Sequence, residues 1–289
     1  EFMRSFVVSK FMNNKIIIQK IIEKIINQNP EKPIGKSYIG SVYLIQLNGK
    51  DAVVKISNLC EEEKIPNQVK INLCNMANEG NLIFRIPNTR TGKMNVVAPN
   101  YLIEGIIGIL LSDIKQYTNA FVDTYGFQYN YTESTKPVYI IQERLAELSN
   151  VADYSEYIHV IFQIIHGIMI GQMMYKYVHY DLHHGNIMKR NILDKSIRVY
   201  EIGNGKYFYT RVPFDTVMID YGYSRIETTD TILTPRLYFS TKERESLDYY
   251  EFNPYYDIFC LFNHNRLTEN PLYEVWRALF MLFLNVSLE

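Results

Sequence analysis

The pattern of apolar and polar positions begins with helical spacing. Between residues 4 and 28, apolar side chains recur every three or four positions with Lys and Asn between them. This pattern predicts an amphipathic helix that ends before Pro30 and Pro33, because proline interrupts a helix. We expect the helix to pack on the domain that follows, with a membrane or a partner helix as the alternative.

After Ser37 the period changes from helical to alternating. Apolar and polar residues alternate over 38–47 and again over 52–56, and Asn48-Gly49 stands between the two runs. The Asn-Gly pair favours the left-handed backbone of a two-residue turn. The segment therefore predicts a β-hairpin.

The next stretch, residues 57–100, has no sustained period. It contains a run of three Glu and is interrupted by Pro66, Pro87 and Pro99. Such punctuation is typical of loops. We expect this stretch to be an irregular insertion.

Regular patterns then return and continue through the second half of the chain. Helical spacing over 101–116 is followed by strand patterns near 121–129 and 137–144, and then by a long helical pattern over 154–177. A further hairpin is predicted around Asn204-Gly205.

The order of these elements is strands, one main helix, more strands and then helices. That order favours an α+β fold. The resemblance carried by the motifs described below implies that the fold has two lobes, a β-rich first lobe and a mostly helical, reduced second lobe. The predicted division is an N-terminal helical extension over 1–33, a first lobe over 34–145 that carries the 57–100 insertion, and a second lobe over 146–289.

Composition narrows the classes of protein that fit. The 289 residues are 47% apolar and 21% charged with a net charge of −1, which excludes a disordered chain and a strongly basic nucleic-acid-binding surface. Three widely spaced cysteines without a C-x-x-C pair favour a reducing, intracellular compartment. We find no apolar run of the length that a membrane span requires.

Two short motifs carry candidate chemistry. Residues 179–186 are His-Tyr-Asp-Leu-His-His-Gly-Asn, and residues 220–222 are Asp-Tyr-Gly directly after the apolar run 217–219. Together they resemble the H-R-D-L-x-x-x-N and D-F-G motifs of protein kinases. The chain departs from these motifs at Tyr180, where the family has Arg, and at Tyr221, where it has Phe.

The resemblance implies a role for each retained polar residue. Asp181 would accept the proton of the acceptor hydroxyl or orient that hydroxyl, and Asn186 and Asp220 would hold Mg²⁺. His179 would brace the loop through a backbone hydrogen bond. Asp257 lies about where the family has an Asp that braces the catalytic loop from a helix of the second lobe.

The nucleotide-binding motifs of the family are also present, although less completely. Gly35, Ser37, Gly40 and Val42 match G-x-G-x-x-G-x-V except that Ser37 replaces the middle glycine. In the family this loop covers the phosphates of ATP. Val53-Val54-Lys55 resembles V-A-I-K, which makes Lys55 the candidate contact for the α- and β-phosphates.

The family pairs this Lys with a Glu on the following helix. Glu104, near the start of the helix predicted over 101–116, is the first candidate, and Glu79 is the alternative. The resemblance further implies that Gln142 is the gatekeeper beside the nucleotide base. Glu143 and Leu145 would then form the hinge edge that contacts adenine.

Details of the two catalytic motifs point to a subtype. Two motifs resemble those of haspin-like kinases: Asp-Leu-His-x-Gly-Asn at 181–186 and Ile-Asp-Tyr-x-x-Ser-Arg at 219–225. The chain is also similar to the divergent kinases of large DNA viruses. His183 stands where Ser/Thr kinases usually carry the Lys that contacts the γ-phosphate, and His can also donate a hydrogen bond there. Because Tyr180 replaces the Arg that clamps an activation-loop phosphate, we expect activity without that phosphorylation.

These resemblances imply a Ser/Thr protein kinase that uses ATP and Mg²⁺, with Mn²⁺ as a possible substitute. We expect a protein substrate with a Ser or Thr acceptor, no direct nucleic-acid binding and no membrane span. A small-molecule kinase of the aminoglycoside or choline type is the first alternative. A pseudokinase that acts as a binding module is the second, and the retained residues Lys55, Asp181, Asn186 and Asp220 speak against it.

Overall fold

The computed structural model describes residues 32–37, 40–57, 84–98, 100–128, 138–148, 154–192, 197–203, 206–211, 213–235 and 252–263. The helix predicted over 4–28 lies outside these residues. So do Glu79 and the turn at Asn204-Gly205.

The described residues form three α-helices and fourteen strands. The helices are α1 (Asn100–Asp113), α2 (Tyr154–Tyr175) and α3 (Tyr256–Asn263). The strands are β1 (Gly35–Ser37), β2 (Gly40–Leu47), β3 (Lys50–Ser57), β4 (Phe84–Pro87), β5 (Met94–Ala98), β6 (Thr124–Gln128), β7 (Val138–Glu143), β8 (Ala146–Glu147), β9 (Ile187–Asn191), β10 (Arg198–Gly203), β11 (Lys206–Thr210), β12 (Phe214–Met218), β13 (Ile226–Glu227) and β14 (Thr231–Pro235).

The first lobe is built on a five-stranded antiparallel sheet in the order β1-β2-β3-β7-β6. The predicted hairpin is its β2–β3 pair, and both turn residues have left-handed backbone, with φ of 51° at Asn48 and 76° at Gly49. Helix α1 packs on this sheet, and its apolar residues Leu102, Ile103 and Ile107 are fully buried. The helix therefore has a fixed position relative to β3.

The second half is organised around helix α2. Ile164 and Ile168 are completely buried in the main core together with Val217 and Met218 of β12. The side chain of Gln163 accepts a 2.7 Å hydrogen bond from the Thr216 backbone N–H, which ties the helix to the strand that leads to Asp220. The predicted α+β class, with a β-rich lobe around one main helix followed by a lobe around a long helix, is confirmed.

The expectation that no apolar segment is long enough for a membrane span is wrong as a statement of length. Residues Ile158–Tyr175 of α2 meet the length and composition of a span. Ile164 and Ile168 of this segment are core residues, and 44% of the segment is buried within the domain.

The prediction that residues 57–100 are irregular is wrong for their last third. Strands β4 and β5 pair with each other, and β5 also pairs in parallel with β14, to give a sheet in the order β13-β14-β5-β4. The positions of β5 are almost uniformly half-buried, so they show neither a helical nor an alternating period. One of the two partners of β5, strand β14, is distant in the sequence, and local sequence patterns do not indicate such a partner.

The second predicted hairpin is present as β10 and β11, which pair with a bulge between Glu201 and Gly203. Its inner face packs on α2, where the rings of Phe208 and Phe162 stack with centroids 3.8 Å apart. This hairpin adds an aromatic layer to the outer side of α2.

The approach of α2 to the segment before β6 generates a test of the fold. A Cβ at Gly167 would lie 2.3 Å from the Ala120 Cβ, so Gly167→Ala should lower the free energy of unfolding by about 1–3 kcal/mol. In an uncrowded helix the same change would stabilise by about 1 kcal/mol. The measurement is urea unfolding of Gly167→Ala and of Gly167→Ala/Ala120→Gly. The double variant should recover most of the loss, and a stabilised single variant would contradict the close packing.

Candidate active site

Three separate elements bring their charged groups together at Lys55. Its Nζ lies 2.7 Å from Oε2 of Glu104 on α1 and 3.3 Å from Oδ1 of Asp220, which follows β12. Lys55 and Glu104 are both buried, whereas the Asp220 side chain is 37% exposed. The predicted pairing of Lys55 with Glu104 is therefore present in the structure. The two carboxylates hold a single ammonium, and this group of charges is open to solvent on the Asp220 side.

The ionisation of these groups follows from their burial. Burial disfavours the Lys55 ammonium, but Glu104 and Asp220 outweigh that effect and raise the pKa of Lys55. Burial raises the pKa of Glu104 to about 7, against a smaller opposing effect of Lys55. Burial also opposes ionisation of Asp220, yet the Lys55 charge and hydrogen bond lower its pKa overall. Asp220 is consequently the carboxylate of the pair that stays charged.

The backbone at Asp220 adopts a left-handed conformation. Its φ of 62° and ψ of 70° lie in the left-handed region, which is uncommon for a residue with a Cβ. Directly before it, the Ile219 N–H donates to the Asn186 carbonyl at 3.0 Å. This bond joins the two segments that carry Asn186 and Asp220, the residues predicted to hold a metal ion.

Within the loop formed by residues 179–186, Asn186 orients Asp181. The amide nitrogen of Asn186 donates to the Asp181 carbonyl at 2.8 Å and to its carboxylate Oδ2 at 3.3 Å. The Asp181 side chain is 40% exposed, so its carboxylate is accessible to a second molecule. Because the nitrogen of Asn186 is engaged by Asp181, its amide oxygen is the atom available to a cation.

Buried polar contacts hold the backbone of this loop at His179 and Tyr180. Asp257 is fully buried and accepts hydrogen bonds from the backbone N–H groups of His179, at 2.7 Å, and of Tyr180, at 2.9 Å. The His179 ring donates from Nε2 to the Ile219 carbonyl at 2.9 Å. Tyr180 has a φ of 63°, and its ring contacts that of Tyr256 of α3 at a tilt of 55°, with centroids 5.0 Å apart. The bracing contacts predicted for His179 and Asp257 are both present.

His183 lies beside Asp181 at the open side of the loop. Its Nδ1 accepts a 3.0 Å hydrogen bond from the Gly185 N–H, which leaves Nε2 as the nitrogen that carries a proton in the neutral ring. That Nε2 lies 3.9 Å from the Asp181 carboxylate, and the side chain is 45% exposed.

The predicted glycine loop is the β1–β2 connection. Gly35 pairs with Val42 and Ser37 with Gly40, while residues 38 and 39 lie outside the described part of the chain. Val42 also pairs with Lys55 across β2 and β3, which places the loop next to the Lys55 strand. A Cβ at Gly40 would lie 2.1 Å from the Ile56 carbonyl oxygen, so this glycine is required by the close approach of β3.

The hinge differs from the expectation at Glu143. Gln142 is buried beside Thr124, and its side-chain nitrogen lies 3.3 Å from the Thr124 hydroxyl. The Glu143 side chain, however, forms an ion pair with Arg190 of β9, accepting from its Nε at 2.8 Å, and also accepts from the Asp123 N–H. The Glu143 N–H donates to the Asp123 carbonyl. The backbone N–H and the side chain of Glu143 are thus engaged within the chain, and Leu145 follows as a half-buried residue packed on the core.

Two residues that hold the site together, Arg190 and Tyr221, were not identified by the sequence analysis as making these contacts. Arg190 donates to the Asn119 and Phe121 carbonyls as well as to Glu143, so it joins β9 to the hinge. The hydroxyl of buried Tyr221 donates to the Met218 carbonyl at 2.7 Å and accepts from the Val122 N–H at 3.0 Å. The replacement of Phe by Tyr in the D-F-G pattern was the available signal for this second contact.

The donor set fits a magnesium ion that is completed by a nucleotide. Within the described ranges no three His, Cys, Asp or Glu side chains cluster as a metal cage. Mg²⁺ commonly uses one or two protein oxygens together with phosphates and water, and Asp220 and the Asn186 amide oxygen supply that number.

The Lys55 contacts predict how stability depends on pH. In Lys55→Met the Glu104 and Asp220 carboxylates lose their counter-ion, so the variant should be less stable than the wild type by about 3 kcal/mol at pH 8. Lys55 lowers the pKa of Glu104, so removal of Lys55 raises that pKa further and lets the unpaired carboxylate take up a proton. The deficit should therefore shrink as the pH falls toward 5. Thermal unfolding between pH 5 and 8 measures this, and Lys55→Met/Glu104→Gln should show a weaker pH dependence. A deficit that is independent of pH would contradict the assignment.

The Tyr221 contacts predict that the residue typical of the family is unfavourable here. Tyr221→Phe removes both hydrogen bonds of the hydroxyl and leaves the Val122 N–H and the Met218 carbonyl with only their mutual bond of 3.3 Å, so it should cost about 1 kcal/mol in unfolding free energy. Tyr117→Phe is the matched control because Tyr117 is 54% exposed. Equal stabilities of the two variants in chemical denaturation would show that the Tyr221 hydroxyl contributes nothing.

Comparison with known proteins gives little beyond these contacts. No protein-family model and no curated protein matches the chain. Among solved structures, the chain is similar to a kinase domain from Plasmodium at 16% sequence identity and a TM-score of 0.36. The match covers 71% of this chain and 54% of that one, so the chain spans about half the length of the solved structure. At this distance the likeness carries no argument, and function must be inferred from the residues themselves.

Proposed function

We propose that the chain transfers the γ-phosphoryl group of Mg²⁺-bound ATP to Ser or Thr hydroxyls of protein substrates. The observation that carries the proposal is the meeting of Lys55, Glu104 and Asp220 from three elements, with Asn186 joined to the Asp220 segment through the Ile219 backbone. Phosphoryl transfer depends on positioning and on charge stabilisation, and these groups supply both.

Lys55 supplies the positive charge for the nucleotide. Its ammonium is held by Glu104, so binding of the α- and β-phosphates requires little rearrangement of the side chain. Gly35, Ser37, Gly40 and Val42 form the strand pair next to it and are proposed to cover the phosphates. The adenine would lie between Gln142, the Glu143 carbonyl and Leu145.

Asp220 and Asn186 are proposed to hold Mg²⁺. The ion, when bound, neutralises the charge that grows on the transferred phosphoryl group. The lowered pKa of Asp220 keeps its carboxylate ionised at neutral pH, as a metal ligand requires.

Asp181 is proposed to act on the acceptor. The acceptor oxygen forms a bond to the γ-phosphorus, the bond from that phosphorus to the bridging oxygen of ADP breaks, and the hydroxyl proton passes to the Asp181 carboxylate. The two hydrogen bonds from Asn186 hold Asp181 for this role. His183 would donate from Nε2 to the γ-phosphate, since its Nδ1 is engaged by Gly185.

The exposure of the catalytic loop supports a protein acceptor. The side chains of Asp181 and His183 are 40% and 45% exposed, so the acceptor position lies at an open surface. A protein side chain on a loop can reach such a surface, whereas a small alcohol is usually recognised in a concave pocket.

The test is transfer of labelled γ-phosphate from Mg²⁺-ATP to casein, histone, the chain itself and a panel of small alcohols including aminoglycosides and choline. Asp181→Asn should reduce transfer by about 10²–10⁴-fold while nucleotide binding is retained, because only proton transfer is impaired. Asp230→Asn, an exposed carboxylate in a turn, is the control. Label only on a small alcohol would favour a small-molecule kinase, and ATP binding without any transfer would favour a pseudokinase.

Asp220→Asn separates metal binding from folding. It should weaken Mg²⁺-dependent nucleotide binding by at least about tenfold, because a charged ligand is lost, with a much smaller change in thermal stability. Calorimetric titration of ATP with and without Mg²⁺ measures this effect. Equal loss of affinity in both titrations would argue against a metal role for Asp220.

A further inference from the structure

The parallel pair of β5 and β14 connects the two sides of the candidate site. Thr231–Pro235 pair residue by residue with Met94–Ala98, and helix α1 begins at Asn100, directly after β5. Strand β14 belongs to the segment that follows Asp220. The strand that precedes the Glu104 helix and a strand that follows Asp220 are therefore hydrogen-bonded to each other outside the site.

The buried carboxylate of Glu227 contacts Lys93, the residue that directly precedes β5. Oε1 of Glu227 lies 2.8 Å from Lys93 Nζ and 2.9 Å from Lys176 Nζ, and Oε2 lies 2.8 Å from Arg225 Nη2. Lys93 also donates to the Thr228 carbonyl at 2.6 Å. We call these four charged residues, Lys93, Lys176, Arg225 and Glu227, the Glu227 cluster.

The members of the Glu227 cluster come from the segments that the chemistry must align. Lys93 directly precedes β5, Lys176 follows α2 at the entry to the catalytic loop, and Arg225 and Glu227 follow the Asp220 segment. Burial opposes ionisation of Glu227, but hydrogen bonds from Lys93, Arg225 and Lys176 lower its pKa to about 2. The charge that joins these segments is thus present at any working pH.

Packing transmits this connection to the site. Leu233 of β14 and Ala98 of β5 are buried in the same core cluster as Leu102 and Ile103 of α1. On the other side, Gly222 lies against the first residue of the helix, because a Cβ added there would be 3.5 Å from the Asn100 Cβ. A shift of β5 against β14 would therefore displace α1 relative to Asp220.

We propose that the β5–β14 pair and the Glu227 cluster form a positioning element that sets helix α1, and with it Glu104, against Lys55 and Asp220. Glu227 and Lys93 are positioning residues for the transfer reaction rather than contacts of its substrates. The proposal rests on the proposed function for its effect on catalysis, but the mechanical connection stands apart from it. In this proposal the negative charge that fixes the segment after Asp220 is the carboxylate of Glu227, which belongs to the chain itself.

Hydrogen exchange tests the mechanical connection without any assay of activity. Glu227→Gln keeps the size of the side chain and removes its charge. Amide exchange of the full chain, followed by mass spectrometry, should become about tenfold faster in 100–113 as well as in 226–235, as expected for a coupling between contiguous elements. Asp215→Asn is the matched control, because Asp215 is also a buried carboxylate next to two arginines, Arg190 and Arg198, but it lies on β12. It should leave the exchange of 100–113 unchanged.

Faster exchange confined to 226–235 in Glu227→Gln, with 100–113 unaffected, would overturn the proposal. So would equal acceleration of 100–113 in Asp215→Asn, because the effect would then be general loss of stability. If Glu227→Gln fails to fold, Lys93→Met provides the same test, since Glu227 keeps Lys176 and Arg225 as partners.

Kinetics then connects the positioning element to transfer. In Glu227→Gln, kcat should fall by about tenfold while KM for the protein acceptor is unchanged, and Glu227→Asp should restore part of kcat because it restores the charge. An unchanged kcat together with faster exchange in 100–113 would overturn the role of Glu227 in positioning for transfer. Absence of transfer in the wild type would instead count against the proposed function, and the exchange experiment would still decide the connection.

Discussion

The arrangement of the site depends on the burial of one positive charge. Lys55 lies in a region where an isolated ammonium would be strongly unfavourable, and two carboxylates from different elements make its burial possible. The consequence is mutual: Glu104 is buried and needs Lys55, and Asp220 retains its charge because Lys55 is near. Each element that brings a group to this point is held there by the cost of leaving the other two unpaired.

The same logic recurs in the scaffold around the site. Asp257 accepts two hydrogen bonds from the backbone at His179 and Tyr180. Arg190 joins β9 to the end of β7 through Glu143, and Glu227 forms ion pairs with three cationic side chains. In each case a buried charge connects segments that are distant in the sequence. Such contacts are directional and demanding in geometry, so they specify how the lobes' segments align more sharply than apolar packing alone does.

Local signals were sufficient wherever the determining contacts are local. The Asn48-Gly49 turn and the apolar face of α1 were predicted from local patterns and are present. The Lys55–Glu104 pair joins residues 49 positions apart, and it was predicted from the family pattern instead. Strand β5 was missed because its half-buried positions show no period and one of its two partners, β14, lies more than a hundred residues later. At Glu143 the family pattern did not predict the use of the side chain, which depends on Arg190 from another strand.

The hydroxyl of Tyr221 has a consequence for the shapes that the cleft can offer to small molecules. Turning this ring out of the core would break both hydrogen bonds of the hydroxyl, at about 1 kcal/mol each, and would leave the Val122 N–H and the Met218 carbonyl with only their mutual bond of 3.3 Å. It would also remove the contacts with its aromatic neighbours Phe121 and Tyr177. A phenylalanine at this position could swing outward without breaking a hydrogen bond. A ligand that fits only after such a swing would therefore bind this chain weakly, and ligands that accept the ring where it lies would be favoured.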